Sequence, residues 1–408
     1  MKIYNKILTI ISIKISLSFI LHTPKIVKNV LKSNENFQDF QVTNHNNFYR
    51  LGSNPILNDI NKHGELTWYP IGLPNEFNYK KPKKVIVRDI NYIIWKSEDG
   101  FYGLKDGCSH QGSSFQGGNI KNDTISCPYH GYIFNGTCGQ LIEIPKMITK
   151  HNDCYNIESF KVIEIDGIVF INTVPITLEN YHIIDSKYIW IEPESNNPEQ
   201  KSIILTEFFE HYAKFVTVNS LDICHIGFVH TFGNKNNPIP LSNTRIQKCN
   251  DSTFHYKIVY EYLAGEKSIV NNLYNFTKIT VENEYVQPHT TVARVLFGNF
   301  SSTIITIAQP ISQFKTRLFV KAYRNYWYFN SSSNILESIH NFFINNIGNI
   351  LTYYTMFETL KQDKKIVDNI DKNDYKTMHG KFSIKYDMMA NHYKYNYKKF
   401  FEYDNNTL

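Results

Sequence analysis

The sequence predicts an α+β protein, with a small all-β domain followed by a larger domain of antiparallel sheet and packed helices. Three observations carry this expectation. Short β-rich runs punctuated by turns fill residues 65–173, a polar, proline-containing stretch interrupts them at 192–200, and longer β-runs then precede a helical repeat at 335–368. The expected organisation is an N-terminal extension at 1–60, the all-β domain at 61–190, the α+β domain at 191–385 and a surface tail at 386–408. With 408 residues, 42% hydrophobic and 15% aromatic, the chain can bury two cores, which excludes disordered, collagen-like and coiled-coil classes.

In the extension, an apolar run at 7–21 is broken by Lys14 and followed by Pro24. As a helix it would reach about 22 Å, short of the roughly 30 Å of bilayer hydrocarbon. Three readings stay open: a membrane anchor or interfacial segment, a targeting peptide, or an ordinary packing segment. In the all-β domain, strands are expected at 85–87 and 92–95, and a hairpin at 163–172 folds about Asp166 and Gly167. Pro193 and Pro198 mark the linker, because neither continues a helix or a central strand. Beyond it a helix is expected near 207–230, strands at 254–262, 275–284, 290–296, 302–309 and 317–326, and a helix over 335–368. The net charge of +6 is spread along the chain, which argues against a nucleic-acid partner. Six unevenly spaced cysteines make no disulfide framework and point to a reducing compartment. The chain would be cytoplasmic or membrane-associated there, with organellar targeting as the other option.

The strongest local signal is CSHQG at 108–112 with CPYHG at 127–131, which offers Cys108, His110, Cys127 and His130 as ligands. Two thiolates and two imidazoles can hold one zinc or a [2Fe–2S] cluster. Zinc fingers usually segregate the cysteine pair from the histidine pair. Here each loop carries one of each, which suits a Rieske centre, where both cysteines bind one iron and both histidines the other. The remaining cysteines read as buried apolar thiols.

The run NSLDICHIGFVH at 219–230 supplies a second set. On one helix Asn219, Asp222 and His225 would share a face, placing the Asp222 carboxylate to orient a metal-binding His225. His225 and His230 would stand about 140° apart on an ideal helix, so a shared metal requires a break between them, for which Gly227 is the candidate. Two histidines and a carboxylate form the facial triad of non-haem iron(II) oxygenases. Among Glu358, Asp363, Asp368 and Asp371, only Asp363 falls in the apolar stripe of Met356, Leu360, Val367 and Ile370, and a buried acid needs a partner.

The two sets, in this order, resemble the catalytic subunit of Rieske non-haem iron oxygenases, as do WYPIGLPNEF at 68–77 and LKQDKKIV at 360–367. NSLDICHIGFVHTFGN at 219–234 is similar to the branch that includes pheophorbide a oxygenase. Gln111 and Tyr132 depart from the Arg and Trp common in the family. The resemblance implies a Rieske domain followed by a helix-grip catalytic domain, a [2Fe–2S] cluster on the four loop residues, and a mononuclear Fe(2+) on His225, His230 and Asp363. It also implies O2 as co-substrate and a homotrimer in which Asp222 links His130 of one subunit to His225 of the next. Electrons would come from an external ferredoxin or reductase; no dinucleotide fingerprint is present, so NAD(P)H would act only through that reductase. The expected activity is mono- or dioxygenation of a small hydrophobic ring substrate by hydroxylation, demethylation or ring opening. A Rieske electron-transfer protein with a non-catalytic ligand-binding domain and a zinc-stapled interaction protein are the alternatives. Phe215, Phe228, Phe232, Tyr326 and Trp327 are candidate pocket aromatics, with core packing the simpler reading of each.

Overall fold

Short strands rich in Ile, Val and aromatic residues pair into three small antiparallel sheets in the first half of the chain. The computed structural model describes residues 68–401, apart from 147–152, 178–179, 181–183, 185, 187–188, 243, 250–253, 328–334 and 373–381. The expected extension at 1–60, with its apolar run at 7–21, lies outside the described residues. Among the described residues no helix is long and apolar enough to cross a membrane.

The first-half strands are β1 (Trp68–Gly72), β2 (Lys83–Val87), β3 (Ile90–Ser97), β4 (Gly100–Lys105), β5 (Asn119–Lys121), β6 (Thr124–Ser126), β7 (Ile133–Asn135), β8 (Leu141–Glu143), β9 (Ser159–Phe160), β10 (Val162–Ile165) and β11 (Ile168–Asn172). Their sheets run β2-β3-β4-β9, β1-β11-β10 and β5-β6-β7-β8. The two Cys/His loops leave from β4 and β6, and their cysteines rest on a core of Trp95, Phe115, Ile125 and Phe134.

The second half is built on one seven-stranded antiparallel sheet. Its elements are β12 (Lys201–Phe209), α1 (Ala213–Leu221), α2 (Ile226–Val229), β13 (Gln247–Lys248), β14 (His255–Leu263), α3 (Ile269–Tyr274), β15 (Lys278–Val286), β16 (Thr290–Phe297), β17 (Phe300–Ser312), β18 (Lys315–Arg324), α4 (Ile335–Val367) and α5 (Met388–Phe401). The single helix expected at 207–230 is a misreading. Glu207–Phe209 finish β12, which pairs with β18 from Lys201↔Arg324 to Phe209↔Thr316, and this nine-residue ladder overrides local helical pattern.

Strand β18 shows how the halves join. All but its first residue are buried, because both faces of the sheet are covered there. Leu318 and Val320 join Leu205, Phe209, Val216, Leu360 and Val367 beneath α1 and α4. Arg317, Phe319 and Lys321 alternate onto the opposite face and meet the first domain. There Arg317 pairs with Glu76, and Lys321 with Asp166 in the β10–β11 turn and with Glu192 at 3.0 Å. The linker is therefore packed rather than loose: Tyr323 donates to Glu192 at 2.6 Å, and Glu194 pairs with Arg294.

Two expectations require correction. The segment from 386, expected as a surface tail, folds into α5, and its Met389 and Tyr393 are fully buried with Leu221, Ile223, Ile258 and Tyr285. Met389, Ala390 and Tyr393 form one apolar stripe against the sheet, while Tyr395 is exposed on the other side of the helix. Cys138 and Cys154 are exposed, and Cys224 and Cys249 only part-buried, so the other cysteines are not uniformly core thiols.

Candidate metal centres

The loops carrying CSHQG and CPYHG are built alike. In each, the glycine N–H four residues after the cysteine bonds back to the cysteine carbonyl, Gly112 to Cys108 at 2.8 Å and Gly131 to Cys127 at 2.9 Å. Both glycines adopt positive φ (71° and 76°), a turn that a side chain would strain. Cys108 and Cys127 lie buried against the core, whereas His110 and His130 are exposed at the tip. The imidazoles converge, with His110 Nδ1 3.2 Å from His130 Nδ1. Burial pushes the Cys108 thiol up to about 11, with the Cys127 sulfur beside it adding to the rise and the backbone N–H groups of His110 and Gln111 opposing it. Holding both sulfurs as thiolates in this place calls for bound cations, and the paired donor set, two buried sulfurs and two outward imidazoles, fits a [2Fe–2S] cluster bridged by both loops.

Two supports were not read from the sequence. The Asp106 side chain is fully buried and accepts hydrogen bonds from the Ser114 hydroxyl and the Phe115 N–H (2.8 Å), bracing the first loop. Tyr132, noted only as a departure, stacks on His110 at 4.8 Å with 6° between rings. It thus couples the second loop to the first.

In the second half, α1 ends at Leu221, and His225 and His230 bracket the one-turn helix α2. A helix stop at Asp222, rather than a bulge at Gly227, turns both imidazoles to one point. There His225 Nε2 is 3.4 Å and His230 Nε2 3.5 Å from the same oxygen, Asp363 Oδ1 on α4. Atoms each about 2.1 Å from one metal stand roughly 3 to 3.5 Å apart, so the donor set fits a mononuclear iron. Burial lowers the His230 imidazole; for His225 burial also acts downward, but the hydrogen bond to Asp363 and the charges of Asp363 and Asp222 together outweigh it and the imidazole is raised. Asn219 donates to Asp363 Oδ1 at 3.1 Å.

Asp222 acts differently from expectation. Its carboxylate accepts the N–H groups of Cys224 (2.8 Å) and His225 (3.3 Å), and its backbone carbonyl, 2.6 Å from His225 Nδ1, orients that ring. The helix ends before the side chain can reach the imidazole. Of the five candidate aromatics, Phe232 is stacked on a site histidine, His230, at 5.1 Å. Phe228 is exposed, Phe215 joins the core under α1, and Tyr326 packs on Phe297 and Trp327.

A second cluster, Cys249, His255 and Glu284, also holds metal-type donors within 4.8 Å of one another. Both Glu284 oxygens are taken, one by His255 Nε2 at 2.8 Å and the other by Arg294, which also holds Glu194. The guanidinium occupies the place of a cation, and the cluster ties the linker to the sheet.

Residues 67–161 match the family model of the Rieske [2Fe-2S] domain. Cholesterol 7-desaturase of Xenopus laevis is 30% identical over 131 residues, 31% of this chain and 27% of that protein. The oxygenase component of dicamba O-demethylase from Stenotrophomonas maltophilia is 31% identical over 105 residues, 26% of this chain and 30% of that protein. The matches thus span less than a third of these curated relatives. A crystal structure of dicamba monooxygenase bound to dicamba shares the fold across 83% of this chain and 97% of that one, with a TM-score of 0.64 at 18% identity. Residues 67–161 thus form a Rieske [2Fe-2S] domain, and the large antiparallel sheet with helices that follows completes the fold seen in the dicamba monooxygenase structure.

Proposed function

We propose that this chain is the oxygenase component of a Rieske system, acting with O2 on a small hydrophobic ring substrate and drawing electrons from a separate ferredoxin or reductase. The observation that carries the reading is the convergence of His225, His230 and Asp363 on one point in a chain that also holds the two Cys/His loops. Cys108, His110, Cys127 and His130 would hold the cluster, and the triad the iron. When bound, these groups would supply electron relay and oxygen activation. The protein fixes the ligand rings, sets the Asp363 carboxylate between two imidazoles, and buries the triad to 13% exposure or less. Relatives named for cholesterol desaturation and dicamba demethylation favour a ring substrate. Their spread favours no single branch, so the pheophorbide a oxygenase-like assignment rests on the 219–234 motif alone.

Purified anaerobically, the protein is expected to carry two irons and two sulfides in the cluster plus a third iron, with a Rieske signal in paramagnetic resonance after reduction. Iron and sulfide without a third iron would leave only a carrier, and zinc without sulfide would refute the reading. Within a homotrimer, the Asp222 carboxylate would face His130 of the neighbouring subunit while its backbone carbonyl holds His225 Nδ1, so that the residue would link the two imidazoles. Because the amide oxygen of an asparagine side chain can still accept the Cys224 and His225 N–H groups, Asp222→Asn should keep both metals yet slow substrate turnover about tenfold or more. Wild-type turnover with both metals present would remove Asp222 from the electron route.

A further inference from the structure

Each candidate iron-binding histidine has its second ring nitrogen engaged, but by different kinds of atom. His225 Nδ1 meets a backbone carbonyl, that of Asp222 at 2.6 Å. His230 Nδ1 meets a side chain, the Gln362 Oε1 oxygen at 3.1 Å. A carbonyl oxygen only accepts, so each contact requires the proton on Nδ1 and leaves Nε2, on the Asp363 side, as the nitrogen whose lone pair a metal can take. We infer that Gln362 is a positioning residue which fixes the Nε2-ligating tautomer and ring rotation of His230, as the Asp222 carbonyl does for His225.

Three features support this role, which rests on the iron-site reading above. The Phe232 ring stacked on His230, with 14° between planes, sets the plane of the imidazole but not its tautomer. His230 is 4% exposed at its side chain, so water has little access to replace the amide. Gln362 directly precedes Asp363 on α4, whose Leu360 and Val367 are buried against the sheet, so one anchored helix presents both the carboxylate ligand and the orienting amide. A Leu side chain of similar length would keep the packing and remove the acceptor. Glu would restore it.

The test uses the protein with its cluster intact and its mononuclear iron removed by chelation, titrated with cobalt(II) and followed by visible absorption. Gln362→Leu should weaken cobalt binding about 10- to 100-fold, and Gln362→Glu should bind close to wild type. In the metal-free state, 15N spectra of labelled histidine should show His230 protonated on Nδ1 in wild type and Gln362→Glu, and shifted toward Nε2 in Gln362→Leu. Thermal unfolding of metal-free Gln362→Leu should match wild type. Equal cobalt affinity in Gln362→Leu and wild type, or equal loss in Leu and Glu variants, overturns the inference while leaving the iron site standing. Failure of wild type to bind cobalt at the triad overturns the iron-site reading itself, and the inference with it.

Discussion

Asp363→Ala is expected to abolish product formation while the reduced-cluster spectrum survives unchanged. Both imidazoles face one oxygen of this carboxylate, at 3.4 and 3.5 Å, so its removal takes away a ligand and the negative charge that favours a cation between the rings. Loss of a mere orienting partner typically costs 10- to 100-fold in metal affinity or activity, and loss of a ligand should exceed about 100-fold. The cluster loops lie in the other domain, on a core that shares no residue with the one under α1 and α4, which is why their signal should persist. Iron per chain should fall by one. Wild-type turnover in the variant would remove Asp363 from the site.

Tyr393→Ala is expected to be the most damaging single change outside the metal centres. Tyr393 is fully buried, donates to the Pro288 carbonyl at 2.7 Å, and accepts the Gln287 amide on its own carbonyl at 3.1 Å. Emptying a buried aromatic site costs about 3–5 kcal/mol, a large share of the roughly 5–15 kcal/mol that keeps a domain folded. Tyr393→Phe keeps the ring but strands the Pro288 carbonyl, at about 1–3 kcal/mol. The damage should reach the iron, because Leu221 and Ile223, either side of Asp222, belong to the same packed cluster. Urea unfolding should show the order wild type, Phe, Ala, with iron retention falling in the same order. An Ala variant within about 1 kcal/mol of wild type would show that α5 is dispensable.

Both predictions divide along the line between what was legible and what was not. The ligand types could be read because their chemistry is local: a Cys and a His two or three residues apart in a glycine-flanked loop, and an acid in an apolar helical stripe, are visible in a short window. Most strands of the large sheet could be read from their β-branched runs for the same reason. Strand β12 could not, because its state is decided by a partner strand more than a hundred residues away. Nor could α5, whose Lys- and Tyr-rich sequence looks like a solvated tail until the sheet end it covers is in place. Gln362 carries no signal at all. It sits beside Asp363 in sequence, and only the tertiary packing of α4 brings its amide to His230.

By itself, then, the sequence determined the order of the two halves, the two donor sets and the types of metal they suit, since these follow from residue chemistry and short spacing. The tertiary structure alone decided how the donors are aimed. The helix stop at Asp222 turns two histidines to one oxygen, a backbone carbonyl and a distant amide fix their tautomers, and Arg317 and Lys321 on β18 seat the first domain on the sheet. Each of these depends on groups far apart in the chain, whose meeting is set by burial of the shared core rather than by any local preference.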